Sequence, residues 1–355
     1  MKIFSIFLFL FVGSTLLCLS CQNQQSPRGQ AHSDAASDSK GEVLHLYTYR
    51  HLPADDSLYQ RFQFLTGIAV NVVQKDPSEL FALLQQGRQE PPAGLMILPD
   101  VAMAVRAKEE GLLQLYYLPQ LDQYVKPDMH DDYGYWTGLT IQLPVIAYAS
   151  ARVGPEGLAS FFDLTEARWK GKVLAPSADD PYLQSLVASF IVNNGEPAAR
   201  KWAKEVAVNF ARPPQGNGLD QLKAMAAGEG DVAIANASDL GYLRFPDTYA
   251  ELQLGQDIKL AIPFNGGFNH INATCAVVPK GSDVQKAAQF VEFLTAAPAQ
   301  QIYPSAAHEN PVNVMGIPSD FSIEEVGGIK EDPVPLNQLA QKNKLAVQIL
   351  KEAGW

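Results

Sequence analysis

Alternating strand and helix patterns are the feature that most constrains the fold of this 355-residue chain. Residues 43–47 form a mainly apolar run, interrupted by His45, that is typical of a buried strand. A helical pattern follows, with Leu58, Phe62 and Leu65 on one face, and Gly67 stands where the helix should end. Because Gly and Pro separate further patterns of both kinds along the chain, the order predicts an α/β protein with mainly parallel sheets.

The predicted elements fall into two series, which indicates two α/β halves. Ser57 is the expected cap of the first helix. The remaining predicted strands are 68–73, 94–98, 145–148, 172–174, 231–235 and 272–278. The remaining predicted helices are 78–87, one that begins near residue 100, 220–227, 283–296 and 336–353.

The N-terminus has the features of a secretion signal. Lys2 precedes an apolar run, residues 3–17, which is shorter than the roughly 20 residues of a membrane span. The run leads to a small residue and then Cys21, a pattern that resembles a bacterial lipobox. We therefore predict a signal peptide at 1–20, lipidation of Cys21 and a flexible polar tether at 21–42. The alternative is an ordinary signal peptide that contains cysteines.

The charge balance narrows the class of partner. With 27 Lys and Arg against 38 Asp and Glu, the net charge is −11, which argues against nucleic-acid binding because phosphate contacts need clustered basic residues. An acidic surface is compatible with a protein that collects cations. Cys275 is the only cysteine beyond the lipobox, so no internal disulfide is expected.

One long motif identifies a family. Residues 213–243 read PPQGNGLDQLKAMAAGEGDVAIANASDLGYL. This segment resembles a motif of the iron(III)-binding proteins of bacterial ABC importers, which reads roughly PQGG-x-DQ-x-x-A-x-AAGE-x-DVA-x-AN-TYYYG. Its main features are all present except the tandem metal-binding tyrosines, which are Ser238 and Asp239 here.

Shorter fragments resemble the same family in the same order. They are YTYRH at 47–51, RAKEEGLLQ at 106–114, WKGKV at 169–173, YLQSLV at 182–187, NFAR at 209–212, HIN at 270–272 and ENPVN at 309–313. Each fragment is weak alone, but together they cover nearly the whole mature chain.

The resemblance implies a two-lobed periplasmic-binding-protein fold of type 2, the Venus flytrap, with hinge-connected lobes. Hinge strands are expected near residues 141–145 and near Phe268, and a ligand would be trapped between the lobes. The implied lobes are 43–143 with 269–318, and 144–268 with 319–355.

The resemblance also implies a ligand set for ferric iron, which the family holds through tyrosine phenolates with help from His or carboxylate. The family histidine matches His51, while the tyrosine that often follows it is Leu52 here. An RAR-like run whose arginine pairs with a bound anion is replaced by residues 142–144. The candidate metal or ligand residues that remain are Tyr182, His51, Asp239, Asp100 and Ser238.

Each candidate also has a structural alternative. Asp100 stands where it can cap the following helix, and Asp239 can cap a turn. Asp180 and Pro181 are placed to begin a helix at Tyr182, whose ring can then pack in the cleft wall. These alternatives stay open at the level of sequence.

The leading functional hypothesis is a lipid-anchored, extracytoplasmic solute-binding protein of an ABC importer, in the periplasm or on the cell surface. It would carry Fe(III) as its transported ligand and use no catalytic cofactor. Its expected partners are a permease, its ATPase subunit and the lipid bilayer, and the chain is expected to be a monomer.

The sequence leaves three other hypotheses for the function. The same fold can bind a small organic cation such as a polyamine, held by Asp239, Tyr182 and the aromatic Trp136. An enzyme is not expected, because the chain has no Gly-x-Ser-x-Gly, His-Glu-x-x-His or Walker motif. A sensor or scaffold lipoprotein that has lost transport is the fourth.

Overall fold

The structure is a computed structural model. It describes residues 42–87, 90–245, 254–264, 267–315 and 330–355. The predicted signal peptide, Cys21, all of the predicted tether except residue 42, and the predicted lobe boundary at 318/319 lie outside the described residues. Within the described ranges, no helix has the length and apolar character needed to cross a membrane.

The described residues form two sheets with helices packed around them. The strands are β1 (Val43–Thr48), β2 (Ala69–Gln74), β3 (Leu95–Leu98), β4 (Trp136–Gln142), β5 (Pro144–Ala149), β6 (Val173–Leu174), β7 (Val232–Asn236), β8 (Ile258–Ala261), β9 (Asn272–Val277) and β10 (Asn310–Pro311). The helices are α1 (Pro53–Thr66), α2 (Pro77–Gln86), α3 (Val101–Glu109), α4 (Pro181–Asn194), α5 (Glu196–Ala207), α6 (Gly218–Ala226), α7 (Ala237–Arg244), α8 (Val284–Thr295), α9 (Ala297–Gln300), α10 (Tyr303–Ala306), α11 (Leu336–Ala340) and α12 (Asn343–Ala353).

The first sheet has the strand order β10-β4-β9-β3-β1-β2. We call this sheet and the helices on it the first lobe. β1 is parallel to β2 and β3, but β9 is antiparallel to β3 and β4, and β10 is antiparallel to β4. The expectation of mainly parallel sheets is therefore wrong. The chain reaches β9 from β8 of the second sheet and so enters the first sheet near the carboxyl ends of β3 and β4. β9 is therefore antiparallel to both of these strands.

The second sheet has the order β6-β7-β5-β8, with β5 antiparallel to both of its neighbours. We call this sheet and its helices the second lobe. Leu143 is the only residue between β4 of one sheet and β5 of the other. The segment before β9 is joined to α4 by a 2.8 Å hydrogen bond between the Ser185 hydroxyl and His270 Nε2. Burial lowers the pKa of His270 to about 3, so this ring is neutral.

Two predicted helix boundaries need correction. α1 begins at Pro53 rather than after Ser57, because the Asp55 carboxylate accepts the Leu52 N–H at 2.8 Å and closes the first turn. Its predicted end is confirmed, since Gly67 has the left-handed φ of 77°. The single helix predicted at 336–353 is two helices, α11 and α12.

The division of the C-terminal helix follows from its two packing partners. Leu339 of α11 belongs to an apolar cluster with Val101 of α3, in the first lobe. Ile349 of α12 belongs to another cluster with Phe190 and Trp202, in the second lobe. A break between the helices lets the chain cover both lobes.

Candidate functional site

Side-chain oxygens from both lobes meet beside Leu143, where the chain passes from the first sheet to the second. Tyr49 follows β1, Thr274 lies in β9 and Glu309 precedes β10, so these three come from the first lobe. Tyr182 comes from α4 of the second lobe. The Tyr49 hydroxyl is 3.0 Å from the Thr274 hydroxyl and 3.4 Å from the Tyr182 hydroxyl. We call the side-chain oxygens of these four residues the oxygen cluster.

The Gln142 amide connects the members of the oxygen cluster. Gln142 is the last residue of β4, next to the passage between the sheets, and it is 2% exposed. Its Nε2 lies 2.9 Å from the Tyr182 hydroxyl, 3.0 Å from the Thr274 hydroxyl, 3.0 Å from Glu309 Oε1 and 3.4 Å from the Tyr49 hydroxyl.

A buried ion pair adjoins the oxygen cluster. The Arg50 guanidinium donates to both carboxylate oxygens of Glu309, at 2.5 Å and 2.9 Å. It also lies 5.3 Å from the ring centre of Tyr49 and 5.7 Å from that of Tyr303. The Glu309 charge is therefore balanced by Arg50, and the uncharged donors of the cluster are its two phenols and the Thr274 hydroxyl.

The phenols of the site are protonated at neutral pH. Burial raises the pKa of Tyr49 and, more strongly, that of Tyr182. The Arg50 charge opposes this effect without overcoming it. A phenolate can form here when a bound cation replaces the proton, because the charge of an ion at the site reverses the effect of burial.

Tyr182 reaches the cluster because of how α4 begins. The Asp180 carboxylate accepts the Leu183 N–H at 2.8 Å, and Pro181 occupies the first helical position. Asp180 and Pro181 thus begin the helix as the sequence predicts. Of the five predicted site residues, Tyr182 alone is brought into the oxygen cluster.

His51 is directed towards α1. Its Nε2 is 2.9 Å from Asp56 Oδ1, and its ring stacks on Tyr59 with centroids 5.9 Å apart. Both partners belong to the helix that follows the loop.

Asp100 caps α3. Its carboxylate accepts the Met103 N–H at 3.0 Å, and the residue is 2% exposed. Burial raises the pKa of this carboxyl to about 7, because the cost of removing its charge from water exceeds the gain from the hydrogen bonds of the helix terminus.

Asp100→Asn is expected to change how stability depends on pH. The folded chain holds the Asp100 proton up to about pH 7, whereas the usual pKa of 3.8 applies after unfolding. The contribution of this group to the free energy of unfolding is greatest below about pH 4. It decreases by up to about 1.4 kcal/mol for each pH unit between pH 4 and pH 7. Asparagine caps a helix about as well but does not titrate.

Urea denaturation at pH 5 and pH 8 measures this effect. The wild-type chain should lose more stability between the two values than Asp100→Asn. Asp283→Asn, at the exposed cap of α8, is the matched control and should follow the wild type. Equal losses in all three proteins would contradict the prediction.

Asp239 and Ser238 lie in the first turn of α7. Asp239 Oδ2 accepts the Asn236 N–H at 2.8 Å. A Cβ atom added to Gly218 would lie only 2.0 Å from the same oxygen, so the carboxylate sits against the start of α6. Ser238 is 7% exposed. Among the described contacts, neither side chain hydrogen-bonds to the oxygen cluster.

Sequence reasoning missed most of the oxygen cluster and its surroundings. The candidates predicted from the sequence do not include Tyr49, Gln142, Thr274 or Glu309, although fragments with family resemblance contain Tyr49 and Glu309. The position of these residues is the signal that could have identified them, because Tyr49 directly follows β1 and Glu309 directly precedes β10. In the described part of the chain, no three His, Cys, Asp or Glu side chains are grouped to hold a metal ion.

A second contact between the lobes involves His308, just before β10. Its ring stacks on Phe245 with centroids 5.5 Å apart and meets Tyr242 edge-on at 5.1 Å. Both partners come from α7 or its end. The His308 backbone has φ of 54°, which is rare for a residue other than glycine. This contact depends on Gly241, which leaves room for the ring.

Gly241→Ala is expected to prevent the contact between His308 and α7, and so to keep the two lobes further apart. The new Cβ would lie 2.3 Å from His308 Cγ and 2.4 Å from its Cβ. Overpacking of this kind costs about 1–3 kcal/mol, which corresponds to a loss of ligand affinity of about 5-fold to 150-fold. Small-angle scattering should show a larger radius of gyration for the variant.

Two observations separate this effect from misfolding. Alanine is a better helix former than glycine, so the second lobe itself should not lose stability. The double variant Gly241→Ala with His308→Gly removes the clash and suits the positive φ, so it should restore the compact form. If Gly241→Ala keeps the wild-type radius and affinity, the contact does not govern closure.

The chain resembles known proteins over nearly its whole length. The model for bacterial extracellular solute-binding proteins matches residues 57–313. Iron uptake protein A1 of Synechocystis sp. is 33% identical over 352 residues, which cover 98% of each chain.

Two solved structures are similar in fold. The ferric binding protein from Campylobacter jejuni is 30% identical with a TM-score of 0.82, over 88% of this chain and 99% of that one. A Trichodesmium protein in complex with iron and citrate is 30% identical with a TM-score of 0.80, over the same shares. The predicted two-lobed type 2 periplasmic-binding-protein fold is confirmed.

Proposed function

The chain belongs to the family of bacterial extracellular solute-binding proteins, and on that premise we propose that it captures ferric iron between its lobes for an ABC importer. One observation carries the proposal: a phenol from each lobe, Tyr49 and Tyr182, meets at the same point with hydroxyls 3.4 Å apart. Relatives of this chain are named for iron uptake and ferric binding.

The chemistry of the oxygen cluster suits such a cargo. Fe(III) is a hard, highly charged ion that favours oxygen donors, and its charge lowers the pKa of a phenol enough to displace the proton. Tyr49 and Tyr182 would supply phenolates, and Glu309 would supply a carboxylate. Because the phenols come from different lobes, the same bonds would hold the lobes together around the cargo.

The finer parts of the proposal concern the cellular setting. Cys21 would carry a lipid, and the tether would leave the two-lobed body free to meet a permease and its ATPase subunit. The chain would act as a monomer and catalyse no reaction. In cells, Cys21→Ser should move the protein from the membrane fraction to the soluble fraction, and an unchanged distribution would contradict the lipid anchor.

Titration of the mature chain with chelated Fe(III) at neutral pH tests the proposed cargo. We expect a visible phenolate-to-iron charge-transfer band that is lost or strongly reduced in Tyr49→Phe and in Tyr182→Phe. Tyr117→Phe is the matched control, because this tyrosine is 57% exposed on the first lobe. The control should keep the wild-type band.

Thermal unfolding supplies a second readout that does not depend on colour. Iron should raise the melting temperature of the wild type and of Tyr117→Phe, by mass action on the folded state. No band and no stabilisation by iron would contradict the proposal. Stabilisation by small polyamines in its place would favour the organic-cation hypothesis.

A further inference from the structure

We propose that the side-chain amide of Gln142 occupies the cation position of the oxygen cluster and must leave when cargo binds. The inference rests on the proposed function, since it names a residue that competes with the cargo. It follows from the contacts of the Gln142 amide, from its orientation and from its place in the fold.

The first observation is the number of oxygens around one nitrogen. Four oxygens lie between 2.9 and 3.4 Å from Gln142 Nε2, from two phenols, a hydroxyl and a carboxylate. An amide NH₂ group has only two hydrogens to donate. The oxygens therefore converge on a point where the amide satisfies only part of what they can offer to a positive charge.

The second observation is the orientation of the amide. Gln142 Oε1 is buried and has no hydrogen-bond partner among the described residues. A buried acceptor without a partner is unfavourable. Turning the amide over would place its carbonyl oxygen against the Glu309 carboxylate, which is worse. The contacts of the NH₂ group therefore determine the orientation of the amide. The surrounding oxygens favour a group that carries positive charge at this point.

The third observation is space. Metal–oxygen bonds to protein ligands are about 2 Å long, as for zinc, whereas the amide nitrogen stands off its neighbours at hydrogen-bond distances. An ion and the NH₂ group cannot share this volume, so the oxygens can close on an ion only after Gln142 has moved. Gln142 lies one residue before Leu143, where the chain passes between the sheets. Because Gln142 adjoins this connection, opening of the lobes would separate its side chain from the oxygens of the second lobe.

Gln142→Ala tests the inference. Cargo binding to the variant no longer has to displace the amide, so iron affinity, measured by competition with citrate, should rise about tenfold or more. Gln142→Asn keeps an amide but is one methylene shorter, and it should behave in the same direction. Gln184→Ala is the matched control, since this glutamine lies on α4 and bonds to Ala178 and Asn343 outside the cluster.

The outcomes separate the inference from the proposed function. Iron binding by the wild type with equal or weaker binding by Gln142→Ala would overturn the inference and leave the function in place. Absence of iron binding by the wild type and every variant would overturn both. Circular dichroism of each metal-free variant verifies that it is folded.

A measurement on the wild type avoids dependence on variants. Gallium(III) is a diamagnetic trivalent ion, so it can take the place of iron in the protein for nuclear magnetic resonance measurements. With ¹⁵N-labelled glutamine, the side-chain NH₂ resonances of Gln142 should shift on loading and gain rapid exchange with water. Unchanged Gln142 resonances in the gallium-loaded protein would overturn the inference.

Discussion

Glu309→Ala is expected to lower the free energy of unfolding by about 3–5 kcal/mol, because it leaves the Arg50 guanidinium buried without its counter-charge. The side chains of the pair are 12% and 3% exposed for Arg50 and Glu309. Both carboxylate oxygens accept hydrogen bonds from the guanidinium, so one substitution removes two charge-assisted bonds at once. Urea denaturation of the metal-free protein measures the loss.

Two comparisons make this prediction specific. Glu110→Ala breaks the exposed pair between Arg106 and Glu110, which should cost no more than about 0.5 kcal/mol. The double variant Arg50→Met with Glu309→Leu removes both charges and should recover much of the stability, because no unpaired charge stays buried. A loss for Glu309→Ala that is no larger than the loss for Glu110→Ala would contradict the prediction.

The fold could be predicted where its determinants are local. The apolar run that became β1 and the left-handed Gly67 after α1 are features of a few neighbouring residues, and both predictions are confirmed. The direction of β9 could not be predicted this way, because it depends on which lobe the chain enters from. The start of α1 was missed for a smaller reason: Pro53 and the Asp55 carboxylate begin the helix before the preferred capping residue Ser57 is reached.

The candidate site could be predicted only in part for the same physical reason. Tyr182 was found because Asp180 and Pro181 fix the start of its helix locally. Tyr49 and Glu309 are about 260 residues apart in sequence, and three strands separate β1 from β10 in the first sheet. Only the tertiary structure brings both side chains to the Gln142 amide. Asp100 and Asp239 have the right chemistry for a metal, but nearby backbone N–H groups hold both carboxylates. Local hydrogen bonds thus explain why the Asp100 and Asp239 carboxylates, although predicted as donors, do not belong to the oxygen cluster.

Iron binding is expected to strengthen by about a hundredfold for each pH unit between about pH 5 and pH 7, after correction for the protonation of the competing chelator. Burial raises the pKa of Tyr49 and Tyr182, so the metal-free site holds both phenol protons throughout this range. The loaded site would hold neither. Each proton released on binding adds one power of ten in affinity per pH unit, and the affinity rises with pH because the free site binds more protons.

Proton release measured with a pH indicator in weak buffer counts the phenols directly. We expect about two protons for each iron bound by the wild type and by the surface control Tyr117→Phe. Tyr182→Phe should release about one, with a pH slope reduced to about tenfold per unit, because a single phenol then exchanges its proton for the metal. Release close to zero in the wild type would mean that iron binds without phenolates. The meeting of one tyrosine from each lobe would then be a packing contact, and closure of the lobes around the cargo would need other donors.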